Sequence, residues 1–135
     1  MPTLTRLMTW VFAAAVLAGC VAPAPRKDDA AAEAKFLKFA GPPLDSFTYL
    51  GRYDGFRTLG PKEVVIFTTV NDAYLIRARD PCINLQFANR IGLTSSNRSV
   101  YRAFDFIIAD HERCQIDTIR YVDYSAFKRD RDAPH

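Results

Sequence analysis

At 135 residues, 49% of them hydrophobic, the chain is one domain's worth of sequence and long enough to bury a modest core. Its 18 basic against 15 acidic side chains leave a formal charge of +3, too small an excess for a dedicated polyanion binder. An aromatic content of 13%, dominated by Phe and Tyr and accompanied by Val and Ile, favours strands over helices.

The first 19 residues carry one basic side chain, Arg6, followed by an apolar run from Leu7 to Ala18. This is the layout of a secretory signal. The run is short for a spanning helix, which needs roughly 20 apolar residues. It ends in Leu17-Ala18-Gly19-Cys20, which resembles the lipobox of bacterial lipoproteins at every position. That resemblance implies diacylation of the Cys20 sulfur and cleavage between Gly19 and Cys20. An uncleaved anchor helix, or an ordinary signal peptide ending near a cysteine, is the alternative. Several acyl chains on one residue give stable anchoring where a single chain is marginal. Val21, standing where an Asp would signal retention in the inner membrane, is similar to the enterobacterial pattern for the outer membrane. The expected location is the cell envelope, lipid-anchored and facing the periplasm, with the membrane as first partner.

Residues 20–46 read as a lipid-anchored tether, kept extended at first by Pro23 and Pro25. Within it Asp28 and Asp29 precede an Ala-rich stretch to Ala40 that predicts a short helix, with Gly41-Pro42-Pro43 as its stop. The compact domain is expected over residues 47–124, and a charged, fraying tail over 125–135. Phe47–Leu50 is a short strand or edge; Asp54-Gly55 and Gly60-Pro61 are turns. Glu63–Thr69 carries the strongest strand signal, and Ala73–Arg79 is its hairpin partner across Asn71-Asp72. Asp80-Pro81 breaks that strand. Cys82–Phe87 alternates, placing Ile83, Leu85 and Phe87 on one face of a strand, with a short helix as the alternative. Residues 94–99 are a polar loop. Phe104–Ala109 is strand-like, Asp110–Arg113 is a turn, and Cys114–Val122 is a strand that pairs back. The expected fold is mainly β: a small antiparallel sheet or partly open barrel with one or two short helices, stapled by one disulfide.

The disulfide follows from compartment. With Cys20 committed to lipid, Cys82 and Cys114 remain as an even pair in an oxidising environment. Their crosslink closes a loop of 32 positions and is worth about 3–4 kcal/mol in the chain-entropy account. A metal site from Cys82, His111, Glu112 and Cys114 is the rival, but without a CxxC its spacing fits zinc poorly. A nucleophilic cysteine needs a histidine partner, and His111 is the only internal one. Free thiols complete the alternatives.

These features occur in a suggestive order. An apolar strand pair ends in Tyr74-Leu75-Ile76; Cys82 and Leu85 follow, then Thr94, Asp105, Cys114-Gln115-Ile116 and Ile119 to Asp123. Over approximately residues 47–123 the chain resembles a family of short proteobacterial envelope proteins classed as a domain of unknown function. The resemblance implies a compact β-rich domain with the same disulfide, and assigns no activity.

Three polar residues are candidate site members. Asp105 sits between Phe104 and Phe106; simple alternation turns it outward, while a buried, hydrogen-bonded Asp near the disulfide is the sharper alternative. His111 and Glu112 could form an acid–base pair, although polar residues in a hairpin turn are usually only solvated. The clusters Arg52-Tyr53 with Phe56-Arg57, and Arg98 with Tyr101-Arg102, mix cations and aromatics. Surface cation–π packing accounts for them, and an envelope location removes nucleic acid as a partner. No phosphate loop, HExxH, GxSxG or Ser-His-Asp order is present, and no cofactor is expected. The reading that follows is a non-enzymatic interaction or accessory module with an envelope-protein or cell-wall partner. A small hydrolase or metal-dependent enzyme using His111 and Glu112, and a small-molecule binding module with an aromatic-lined cavity, are the two alternatives.

Overall fold

The computed structural model describes residues 27–134. The expected signal segment, Cys20 and the Pro23–Pro25 stretch lie outside them. Among the described residues no helix is long and apolar enough to cross a membrane.

The strand signals in the sequence become a curled antiparallel sheet. Strands β3 (Gly55–Thr58), β4 (Glu63–Phe67) and β5 (Asp72–Ala78) form a meander joined by tight turns. Gly60, at φ +97°, makes the first of those turns in a conformation that L side chains rarely adopt. The long β9 (Glu112–Asp123) pairs with β5 along most of its length. The register slips by one residue at Asp117, since Arg77 faces Thr118 while Ala78 faces Ile116. This bulge bends the strand. Before it, β9 pairs with β8 (Phe106–Ala109), which pairs in turn with β6 (Ile91–Leu93). After it, β9 also takes β1 (Ala40–Leu44) on the edge away from β5. The result is a half-barrel in which one long strand serves two halves. Strands β2 (Ser46–Thr48) and β7 (Ser99–Tyr101) pair separately as a small ribbon.

Alternation divides this sheet into two apolar faces. The inner face places Val64, Ile66, Ile76 and Ile119 against Phe47, Leu85, Val100 and Ile107, all buried. The outer face presents Val65, Leu75, Ala73 and Val122 to the helices. Helix α1 (Lys27–Lys38) has Asp28 and Asp29 in its first turn and Lys35 and Lys38 in its last, matching the helix dipole. Its buried positions, Ala32 and Phe36, are four apart on one stripe. Helix α2 (Tyr124–Arg131) is capped by Asp123, whose carboxylate accepts from the Ala126 N–H at 2.8 Å.

Several expectations are corrected here. The helix over the Ala-rich segment is present, but it is packed into the domain: Phe36 is 1% exposed, so the compact fold includes α1 and is not confined to residues from 47 onward. Gly41-Pro42-Pro43 does not merely stop the helix; it lies inside β1, where prolines on an edge strand forgo only outward-facing N–H groups. The charged tail contains α2, docked through Phe127. Of the two readings left open for Cys82–Phe87, the strand is set aside and the short helix is the nearer: the segment is a loop ending in a 3-10 turn at Leu85–Phe87, with Leu85 buried and Ile83 and Phe87 exposed. Phe104 precedes β8 and is 80% exposed, because Ala103 adopts φ +67° and turns the chain just before the strand.

Candidate functional site on the helical face

Cross-strand register fixes what lies beneath α1. Glu63, Arg77 and Thr118 form one row across β4, β5 and β9, and Val65, Leu75 and Arg120 form the next. The third row, Phe67, Ala73 and Val122, is wholly apolar. The outer face therefore has a charged end and an apolar end, and α1 lies over both.

At the charged end Arg77 bridges two carboxylates. It hydrogen bonds to Glu63 through Nε and reaches Glu33 of α1 at 3.3 Å. Glu63 is 4% exposed, an unusual setting for a carboxylate. Burial disfavours its charged form and the Glu33 carboxyl adds to the effect; Arg77 opposes both without cancelling them, so the Glu63 carboxyl is pushed up to about 7. Thr118, Arg120 and Leu37 complete a cleft of about 220 Å³ beside this cluster. Arg120 also fastens β1 by donating to the Gly41 carbonyl at 2.9 Å.

At the apolar end the two helices enclose a groove of about 550 Å³. Four aromatic rings make its floor. Phe36 stacks on Phe127 at 4.4 Å, Phe67 lies 4.7 Å from Tyr124, and Tyr124 stacks on Phe127 at 5.6 Å. Phe67, Tyr124 and Phe127 are only half-buried, so this floor is accessible. Lys35 and Arg57 stand on the rim.

The residues singled out from sequence do not converge. The Asp105 carboxylate is buried, opposite to the outward orientation expected between Phe104 and Phe106: the alternation holds, but Asp105, Ile107 and Ala109 take the inward face while Phe104 is exposed and Phe106 and Ile108 are only half-buried. It accepts from Thr94 Oγ1 at 2.6 Å and from the Tyr101 N–H at 2.7 Å, and Thr94 Oγ1 accepts from the Phe106 N–H at 2.8 Å. Asp105 thus ties together the ends of β6, β7 and β8. Cys82 and Cys114 form the expected disulfide, with Cα atoms 5.8 Å apart. The Glu112 carboxylate lies within 4.8 Å of both sulfurs. Those sulfurs are spent on each other, however, and the carboxylate accepts from the Ile83 and Asn84 N–H groups at 3.3 and 2.8 Å. It acts as a clamp on the Cys82 loop. His111 is exposed at the hairpin turn beside Arg90 and Gly92, and makes no hydrogen bond or ion pair among the described residues. The Arg–aromatic clusters also behave differently from expectation: cation–π contacts are made by Lys38, Arg113 and Lys128, while Tyr53 donates to the Ile91 carbonyl at 2.5 Å and Arg102 pairs with Asp45 at 2.8 Å.

Sequence reasoning missed Glu33, Glu63, Arg77 and the groove aromatics. The Glu63–Arg77 pair was within reach, since a hairpin turning about Asn71-Asp72 brings the two ends together. Phe36 and Phe127 carried helical spacing with their neighbours, but both fell in segments read as tether and tail.

The chain matches no curated protein and no solved structure. A model described as a family of unknown function matches residues 3–134, so the chain belongs to that family, DUF6491.

Proposed function

We propose that this protein is an envelope lipoprotein, anchored through Cys20 and facing the periplasm, whose domain is a non-enzymatic binding or accessory module. The groove between α1 and α2 carries this reading. It offers an accessible aromatic floor at a charged rim, the composition of a recognition surface. It also borders the first turn of α1, which begins seven residues after Cys20. A fully extended linker of that length reaches about 25 Å at most, so an anchored domain presents the groove near the membrane surface. The lipobox and the disulfide support the address. The hydrolase alternative loses support, because Asp105 and Glu112 are occupied by backbone N–H groups and His111 makes no ion pair with a carboxylate among the described residues.

The test is a photo-crosslinking amino acid at Tyr124, expressed in cells, with intact masses read from the membrane fraction. The expected protein lacks residues 1–19, carries acyl chains and forms a crosslinked species that the same probe at exposed Ile83 does not form. An unmodified residue 20 overturns the anchor. Identical crosslinking at both positions overturns the groove as the binding face.

A further inference from the structure

Resting on that reading, we infer that the α1–α2 groove binds a single-chain anionic amphiphile, with its apolar chain over Phe67, Tyr124 and Phe127 and its carboxylate held by Lys35 and Arg57.

The apolar half of the argument is shape and lining. A volume of about 550 Å³ lies inside the range of ordinary small-molecule sites, roughly 300–1,000 Å³. The floor is aromatic and partly open to solvent, so a chain laid on it removes apolar surface from water on both sides. The edge strand keeps this floor uncovered: Gly55 is the register partner of Phe67 and has no side chain to lay across its ring.

The polar half is the charge left over on the rim. Asp130 is paired with Lys38 at 2.8 Å, and Arg131 with Asp132 at 2.8 Å, so those groups are internally neutralised. Asp28, Lys35 and Arg57 remain. Asp28 sits in the first turn of α1, where the helix dipole already stabilises a negative charge. It is two turns, about 10 Å, from Lys35 along the helix. Lys35 and Arg57 make no ion pair among the described residues, and Arg57 stands on the outer face opposite Val65, two register pairs from Gly55 and Phe67. Two unpaired cations beside an aromatic floor complement a single negative head on an apolar chain.

The experiment uses the full chain in zwitterionic nanodiscs, titrated calorimetrically with octanoate, octanol and octylammonium, with the heats of empty discs subtracted. Octanoate is expected to bind saturably at one site, with octanol about tenfold weaker and octylammonium weaker again. The Lys35→Gln/Arg57→Gln double variant is expected to keep its circular dichroism and lose the preference for octanoate. Octanol binding as tightly as octanoate, or a double variant that retains the preference, overturns the proposal. So does the absence of binding by all three; a Tyr124 crosslink to a protein would then leave the accessory-module reading standing and assign the groove to a polypeptide.

Discussion

Glu63 and Arg77 are direct cross-strand partners on the outer face of the sheet, and Arg77 reaches past Glu63 to Glu33 on the helix above. One guanidinium thus joins β4, β5 and α1. It serves two carboxylates, and the buried one holds its charge with difficulty. That balance gives the docking of α1 a chemical dependence that the apolar contacts of Phe36 do not have.

The first prediction concerns pH. The Glu63 carboxyl is raised to about 7 in the folded chain from an ordinary value of 4.5, chiefly by burial. Between those values the folded state holds a proton that the unfolded state has released. Its contribution to stability is fully present below about 4.5, declines as pH rises towards 7, and is flat above that. Urea midpoints of the wild type should therefore fall from pH 5 to pH 8 relative to Glu63→Gln. Parallel profiles for the two proteins would remove Glu63 as the cause.

Arg77→Met removes the opposing cation and leaves Glu63 enclosed. Leaving a buried carboxylate without its cation costs on the order of 3–5 kcal/mol while it stays charged. The loss should be larger at pH 8 than at pH 5, because protonation relieves it at the lower pH. The double variant Glu63→Gln/Arg77→Met should recover much of the difference at pH 8. A variant equally destabilised at both pH values would show that Arg77 acts by packing its stem, not by its charge.

How far this arrangement was legible in the sequence depended on whether the signal was local. β4 and β5 were readable because β-branched residues and the Asn71-Asp72 turn sit within one short window. The Cys82–Cys114 bond was readable as the even pair left once Cys20 is set aside in the expected lipobox. β1 was not, since Gly41-Pro42-Pro43 suits a helix stop and a sheet edge equally, and only pairing with Arg120 and Val122 decides. Glu33 reached the cluster through the docking of α1 on the sheet, a relation between residues 44 positions apart. Asp105 failed for a smaller reason: alternation says which residues share a face but not which face is inside, and here Asp105 sits with buried Ile107 and Ala109 while Phe104 is exposed.

Asp105 gives the third prediction. Its carboxylate takes one hydroxyl and one N–H, and Thr94 passes the connection on to β8. Asp105→Ala leaves the Tyr101 N–H without its partner and should cost about 1–3 kcal/mol. Hydrogen exchange should accelerate at Tyr101 and Phe106 before it does in β4 and β5. Uniform acceleration across the domain would indicate global destabilisation with no local role.

Removal of the disulfide is the fourth. Cys82→Ser/Cys114→Ser opens a loop of sequence separation 32 and should lower stability by about 3–4 kcal/mol. Glu112 still clamps the Ile83 and Asn84 N–H groups, so the Cys82 loop retains one fastening. Adding Glu112→Gln to the double variant should therefore cost more than Glu112→Gln alone, and thermal unfolding of the four proteins measures that coupling. Strict additivity would mean that the two fastenings act independently.

The last prediction is a gain. Ser96 and Ser99 exchange two backbone hydrogen bonds of 2.9 Å around Asn97 and Arg98, both at positive φ, which defines a type I′ hairpin turn. Asn suits the first central position, whereas Arg98, at φ +61°, pays a steric cost that glycine avoids. The Arg98 carbonyl accepts from the Tyr49 N–H at 2.8 Å, a backbone contact that survives substitution. Relief of about 1–2 kcal/mol of left-handed strain, less about 0.5–1 kcal/mol for glycine's greater freedom when unfolded, should stabilise Arg98→Gly by about 0.5–1 kcal/mol. The measurement is the shift in thermal midpoint at two salt concentrations. A gain that vanishes at high salt would trace the effect to relief of charge repulsion; a gain that persists assigns it to the turn.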